Sequence, residues 1–346
     1  MFTQVKFQKP YSVIRPNFSA DQSPEKNWQR QRNLMNNKSP IKKKRLFATG
    51  STGFVGQWLR KHIQLPEIAE HVEWATPETK SDIRDVQQLT RQLAEVRPDW
   101  IIHLAGQSAV PYSFENPKET FEVNCLGTLN LLEAIKASGF SGRMLYVGSA
   151  DTYGMVPASE LPVSEDRPLA PRNPYASSKA AAELVCRQWH LTDNIDVVLA
   201  RPFNHIGPGQ SSRFAIASFV EQLIPIAKGI AEPVVTVGDI DTTRDFSDVR
   251  DVVSAYLALL EHGEAGETYN VCSGVERRVG DMFEGLIRIS GLDVKMNVDT
   301  DKQRRAEQRR MCGDNKKCRS QTGWSPKYSI EQTLRDVYLD ALNKTE

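Results

Sequence analysis

From Lys44 onward, short apolar runs alternate with stretches whose apolar residues recur every three or four positions. Arg45-Leu46-Phe47-Ala48 predicts a buried strand, and a glycine turn follows it. Phe54, Val55, Trp58, Leu59 and Ile63 then fall at helical spacing. Trp100-Ile101-Ile102-His103-Leu104 predicts another strand, and the run from Phe121 to Ile135 predicts a helix with Leu129, Leu132 and Ile135 on one face. Met144-Leu145-Tyr146-Val147 and Val197-Val198-Leu199-Ala200 read as two more strands, separated by a helical stretch from Tyr175 to about Trp189. Strands alternating with helices of this length imply right-handed βαβ units and a parallel sheet. The expected architecture is α/β, a Rossmann-like doubly wound sheet with a smaller C-terminal α/β substrate-binding domain. The cofactor-binding part spans 44–204, with 238–260 returning to it. The stretches 205–237 and 261–346, richer in Pro, Gly and charge, form the smaller part.

The first 43 residues break this rhythm. They hold many Gln, Asn, Ser and Pro, a basic excess from Lys6 to Lys43, and little periodic apolar pattern, so they read as a disordered tail. They lack the apolar core of a secretory signal and any visible amphipathic helix. Translation starting at Met35 would place the first strand nine residues downstream. Function is not expected to depend on this segment.

Charge narrows the partners. The 44 Lys and Arg nearly cancel 43 Asp and Glu, whereas a nucleic-acid binder carries a marked basic excess. No apolar run reaches the length of a membrane helix. Cys125, Cys186, Cys272, Cys312 and Cys318 are odd in number and at no metal-ligand spacing, which predicts reduced thiols in a cytoplasmic protein without a metal site.

Chemistry begins at the first turn. Thr49-Gly50-Ser51-Thr52-Gly53-Phe54-Val55-Gly56 carries glycines at 50, 53 and 56, between a strand and a helix. Three glycines alone are a weak signal, but this position gives each a task. Gly50 permits a tight turn, Gly53 lets the backbone approach a pyrophosphate, and Gly56 lets helix and sheet pack closely. The helix N-terminus then offers free N–H groups to phosphates. At the tip after the second strand, Glu78 suits the ribose hydroxyls of NAD(H), whereas Lys80 or Arg84 suits the 2′-phosphate of NADP(H). NADP(H) is favoured, with NAD(H) tolerated.

Tyr175 and Lys179 are four apart and share one helix face, after an Arg172-Asn173-Pro174 start and one strand beyond Ser149. Free tyrosine has a pKa near ~10 and exchanges protons poorly at neutrality. A nearby ammonium lowers it, and a drop of about three units needs roughly 4 kcal/mol of differential stabilisation. Lys179 and a positively charged cofactor ring together are expected to supply that.

The Gly-x2-Gly-x2-Gly turn, followed in order by Ser149 and Tyr175-x3-Lys179, resembles the extended short-chain dehydrogenases. That resemblance implies Ser149, Tyr175 and Lys179 as catalytic residues. It implies cofactor contacts from Gly50, Thr52, Gly53, Phe54, Val55, Asp82, Ile83, Leu104, Ala105, Gly106, Gln107, Tyr175 and Lys179, with Asn124 bracing the loop at Gly106. His103 reads as a buried structural residue. Ser149-Ala150-Asp151-Thr152-Tyr153-Gly154 aligns with Thr-x-Glu-x-Tyr-Gly of nucleotide-sugar 4,6-dehydratases, whose glutamate removes the C5 proton. Asp151 is one methylene shorter, which argues against dehydration because proton transfer tolerates little misplacement.

Three further stretches sharpen the match: Arg201–Gln210, Gly238–Phe246, and Arg304–Arg310 ahead of Gly323-Trp324-Ser325-Pro326. With Ser-x-Asp at 149–151 they resemble the GDP-4-keto-6-deoxy-D-mannose reductases, which form GDP-D-rhamnose and are related to GDP-mannose 4,6-dehydratase. The resemblance covers about residues 44–340 and implies reduction of a GDP-linked keto-sugar at C4. Substrate contacts are then expected from Ser149, Ala150, Asn204 near the diphosphate and Arg244 on phosphate charge, with Arg304 and Glu307 at the nucleotide end. Arg305 stands where proline is common in the dehydratases. No cysteine lies in 106–114, where an epimerising relative would carry one. The rival among enzymes is GDP-mannose 4,6-dehydratase or another nucleotide-sugar dehydratase or epimerase, and a non-catalytic cofactor-binding scaffold is the rival of a different class. A homodimer is expected through helices around Leu126–Ile135 and Ala180–Trp189.

Overall fold

The computed structural model describes residues 42–77, 82–299 and 308–344. The expected tail therefore lies almost wholly outside the described residues, as do Glu78, Lys80, Arg304, Arg305 and Glu307.

Six parallel strands form the central sheet: β1 Lys44–Thr49, β2 Val72–Trp74, β3 Trp100–His103, β4 Arg143–Val147, β5 Val197–Pro202 and β9 Thr268–Val271. Their spatial order is β2-β1-β3-β4-β5-β9. Apolar residues fill both faces because side chains alternate along each strand. Leu46, Ala48, Ile102, Leu145 and Val198 join one buried cluster, while Phe47, Ile101, Met144, Tyr146 and Leu199 join the other. Helices Phe54–His62 and Val249–His262 cover the first face. Helices Val86–Val96, Gly127–Ser138 and Pro174–Asp193 cover the second. Strand order reverses between β1 and β3, and at such a switch point the loops leaving the strand ends open a crevice. The expected Rossmann-like architecture is present.

The last sheet strand, β9, comes after residue 260, within the stretch assigned from sequence to the smaller part. A second assembly holds β6 Asn204–Ile206, β8 Thr243–Asp248 and β10 Glu276–Arg278 in one sheet, and β7 Val234–Val237 with β11 Lys295–Val298 in another. Helices Ala215–Ala227, Val279–Ser290 and Ile330–Asn343 enclose its own apolar cluster, with Phe219 edge-on to Phe283 at 5.2 Å.

The predicted helix from Phe121 to Ile135 is not uniform. Residues Glu122–Leu126 form a π-helical turn ahead of Gly127–Ser138. Leu132 and Ile135 are fully buried, whereas Leu129 is only half-buried. Among the described residues, no helix is long and apolar enough to cross a membrane.

Candidate active site

The glycine turn is shaped by contact with the neighbouring loop. Gly50 has φ +68°, a left-handed conformation, and a Cβ there would sit 2.6 Å from the Ala105 nitrogen. Helix Phe54–His62 begins after Gly53 with no side-chain cap and no acidic residue in its first turn. Its leading N–H groups are thus left for an anionic partner. Thr52 is exposed, and its carbonyl accepts from Gln57 Nε2 at 2.9 Å. Phe54 stacks on His205, ring centroids 6.2 Å apart, and Val55 packs against the first core cluster. A narrow, uncapped, glycine-lined turn of this kind fits a dinucleotide pyrophosphate.

The loop after β3 is held from behind. Leu104 and Ala105 pack on the two opposite core clusters. Asn124, in the π-helical turn, accepts from the Gln107 N–H at 2.7 Å and donates to the Gln107 carbonyl at 3.0 Å and to Ser178 Oγ at 2.9 Å. A Cβ on Gly106 would approach Asn124 Oδ1 to 3.0 Å and Lys179 Nζ to 3.5 Å, so only a glycine leaves the surface over Lys179 open. Ile83 is buried, and its carbonyl accepts from Asn130. Asp82 is committed to a two-pronged pair with Arg84, which holds its carboxyl below the usual range. Arg84, a candidate for a 2′-phosphate, is therefore engaged with its own neighbour.

Asn173 caps helix Pro174–Asp193 by accepting from the Ala176 N–H at 2.7 Å, and Pro174 occupies its first turn. This places Tyr175 and Lys179 on the buried face, beneath Ser149 at the end of β4. Burial pushes the Tyr175 phenol well up, the Asp151 carboxylate adds to the rise, and a hydrogen bond with Ser149 opposes it. Sequence reasoning anticipated a phenol lowered by the Lys179 ammonium. That expectation combined the ammonium with the cofactor's positive ring; within the chain itself burial is the leading influence on the phenol. The same burial pushes Lys179 down to about 8; its Nζ donates to the Val147 carbonyl at 2.8 Å and lies 5.4 Å from the Tyr146 ring centroid.

Substrate-side candidates surround this centre. Ala150 is buried at the start of a short 3₁₀ turn in which Ser149 Oγ accepts from the Asp151 N–H at 3.2 Å. Asn204 is exposed on β6, in register with Phe246 of β8. Arg244, on β8, donates to the Thr243 carbonyl at 2.8 Å. Its neighbour Asp245 is fully buried and accepts from Ser273, Gly274 and Gly313, tying β8 to the 308–313 segment.

Sequence reasoning passed over a polar layer beneath Ser149. Arg201 forms a two-pronged pair with Glu183 at 2.6 and 3.0 Å and donates to Tyr153 Oη at 2.9 Å; Tyr153 donates to Asn270 at 2.7 Å. The available signal was spacing, since Glu183 follows Lys179 by four residues on one helix face.

Comparison with known proteins agrees with this geometry. The family profile described as GDP-mannose 4,6 dehydratase matches residues 61–337. The chain belongs to this family. Within that group it is 47% identical over 298 residues to GDP-6-deoxy-D-mannose reductase of Pseudomonas aeruginosa, covering 86% of this chain and 96% of the relative. It is 32% identical over 274 residues to dTDP-glucose 4,6-dehydratase of Xanthomonas campestris pv. campestris, covering 74% of this chain and 76% of that protein. Among solved structures, RMD from Pseudomonas aeruginosa complexed with NADPH superposes with a TM-score of 0.82 at 46% identity, covering 87% of this chain and 99% of that one.

Proposed function

We propose that this chain is an NADPH-dependent reductase of GDP-4-keto-6-deoxy-D-mannose, converting its C4 carbonyl to the alcohol of GDP-D-rhamnose. What carries the reading is 47% identity, across 96% of its length, to a protein named GDP-6-deoxy-D-mannose reductase. NADPH in the glycine-lined crevice supplies the hydride. Tyr175 donates the proton that O4 needs as negative charge develops there. Ser149 Oγ hydrogen-bonds the same oxygen, and Lys179, whose Nζ lies 3.5 Å from where a Cβ on Gly106 would sit, would hold the cofactor ribose. In this reading Asn204 and Arg244 serve the diphosphate and the Ala150 backbone the sugar, and the resemblance assigns Arg304 and Glu307, outside the described residues, to the guanosine end. Asp151 gives the site a carboxylate too short for efficient C5 proton abstraction.

The assay is oxidation of NADPH and NADH by purified protein given GDP-4-keto-6-deoxy-mannose, with GDP-mannose in parallel. Stoichiometric oxidation with the keto-sugar alone is expected. Tyr175→Phe should cut that rate by about 10²–10⁴-fold while leaving NADPH bound. Conversion of GDP-mannose without net oxidation would instead mark a dehydratase.

The proposal includes a cytoplasmic homodimer. Leu126 is 50% and Leu184 60% exposed, on the two segments expected to pair across a two-fold axis. All five cysteines are free thiols, four of them buried, as a reducing compartment permits. Sedimentation should give a dimer, and Leu184→Glu should shift it to monomer.

A further inference from the structure

His103 closes β3 immediately before the loop 104–107, is 1% exposed, and bonds through both ring nitrogens. On one side Nδ1 lies 2.7 Å from Thr49 Oγ1, the last residue of β1. On the other, Nε2 lies 3.0 Å from Thr128 Oγ1. The chemistry of the partners fixes the direction of every bond. Thr128 has one hydroxyl proton, and it goes to the Asn124 carbonyl at 2.6 Å, a group that only accepts. Thr128 must therefore accept from His103, which requires hydrogen on Nε2. Nδ1 is then a bare acceptor and takes the Thr49 hydroxyl proton. Thr49 Oγ1, in turn, accepts the Ala105 N–H at 3.2 Å.

The result is one directed chain: Ala105 N–H to Thr49, Thr49 to His103, His103 to Thr128, Thr128 to the Asn124 carbonyl. Its two ends meet the same loop. Ala105 opens it, and Asn124 holds Gln107 through both its N–H and its carbonyl. From Asn124 the bonding continues through Ser178 Oγ, which donates to the Tyr175 carbonyl at 2.8 Å. Because Thr49 also adjoins Gly50, where a Cβ would come within 2.6 Å of the Ala105 nitrogen, the chain sets the gap between the glycine turn and the loop over Lys179.

We infer that His103 is a positioning residue for the nicotinamide cofactor, acting as the Nε2–H tautomer that locks the Gly50 turn, the 104–107 loop and Asn124 into one spacing. The inference rests on the reading of the chain as an NADPH-dependent enzyme. Burial, and secondarily the Lys179 ammonium, push His103 down to about 3, so the ring stays neutral at working pH and the direction of the chain does not change.

The test compares NADPH dissociation constants, by quenching of protein fluorescence, for wild type, Thr49→Val, Thr128→Val and His103→Phe. Thr49→Val and Thr128→Val keep shape, and each removes the two bonds its hydroxyl makes in the chain. Each should weaken NADPH by about threefold to tenfold, the range expected for a buried hydrogen bond. At saturating NADPH, kcat and the KM for the keto-sugar should stay within about twofold. Thr333→Val is the control. It deletes a buried hydroxyl that donates to Asp248 at 2.7 Å on the C-terminal helix, so it should lower the unfolding midpoint and leave NADPH affinity alone. ¹⁵N NMR of the imidazole should show hydrogen on Nε2 only. Threonine variants that weaken NADPH no more than Thr333→Val does, or an imidazole protonated on Nδ1, would overturn the inference. If His103→Phe does not fold, the threonine variants and the tautomer decide. Wild type that binds NADPH yet leaves the keto-sugar unreduced would sink the reductase reading, and the binding comparison would still decide this one.

Discussion

Replacing Glu183 by leucine isolates what the polar layer beneath Ser149 contributes. Glu183 is 1% and Arg201 3% exposed, so the substitution strands a guanidinium that retains only Tyr153 Oη and the Glu165 carbonyl, at 2.9 and 3.2 Å. Breaking a buried pair on one side costs about 3–5 kcal/mol, because the remaining charge has neither water nor counter-ion. Arg201→Met strands the carboxylate instead, although Arg187 Nε lies 3.5 Å from it and softens the loss. Leucine at 183 combined with methionine at 201 removes both charges. Tyr153 then keeps its bond to Asn270, while two neutral groups, Tyr153 Oη and the Glu165 carbonyl, each lose one donor. The double variant should therefore be more stable than Glu183→Leu alone, with a coupling of at least about 2 kcal/mol. Urea unfolding followed by tryptophan fluorescence measures all four proteins. Single variants within about 1 kcal/mol of wild type, or a double variant that simply sums the two losses, would refute the reasoning.

Other consequences are open to direct measurement. Gly50→Ala should abolish measurable NADPH binding in an equilibrium titration, because a methyl 2.6 Å from the Ala105 nitrogen must push apart the two loops that hold the cofactor. NADPH affinity should fall above about pH 8 as Lys179 loses its proton, and Lys179→Met should flatten that profile. For His103 the folded pKa, about 3, lies below the unfolded value near ~6.5. The unfolded chain thus takes the proton first, and the stability present above pH ~6.5 is lost as pH falls. Between about pH 6 and 4, unfolding free energy in His103→Gln should fall less steeply than in wild type, by up to about 1.4 kcal/mol per pH unit.

Most of the sheet was legible because its strands are apolar on both faces. Runs such as Trp100-Ile101-Ile102 and Val197-Val198-Leu199-Ala200 admit few other readings. β9 was not legible. Thr268-Tyr269-Asn270-Val271 looks half polar, and Asn270 is buried only because Val163, Asp314 and Tyr153 from distant segments satisfy its amide. The π-helical turn was likewise hidden, since one widened turn barely alters the apolar period, yet it is what aims Asn124 at Gln107. In the site, spacing brought Ser149, Tyr175 and Lys179 together, but it carried no information on burial. Desolvation, the leading influence on the phenol of Tyr175, depends on packing. The pairing of Arg201 with Glu183 was hidden for the same reason.

The late arrival of β9 bears on how the chain is made. β5 completes its pairing only when Leu199, Ala200, Arg201 and Pro202 meet Thr268–Val271, and the first face of the sheet is roofed by Val249–His262. Trp324 and Cys318 close the same cluster from still farther along. A nascent chain that has emerged only as far as residue 204 holds the glycine turn, Ser149, Tyr175 and Lys179, but covers the first face of its central sheet with helix Phe54–His62 alone. Cofactor capture must then wait for synthesis to be nearly complete, and chaperone protection should be needed longest for the half of the protein that is translated first.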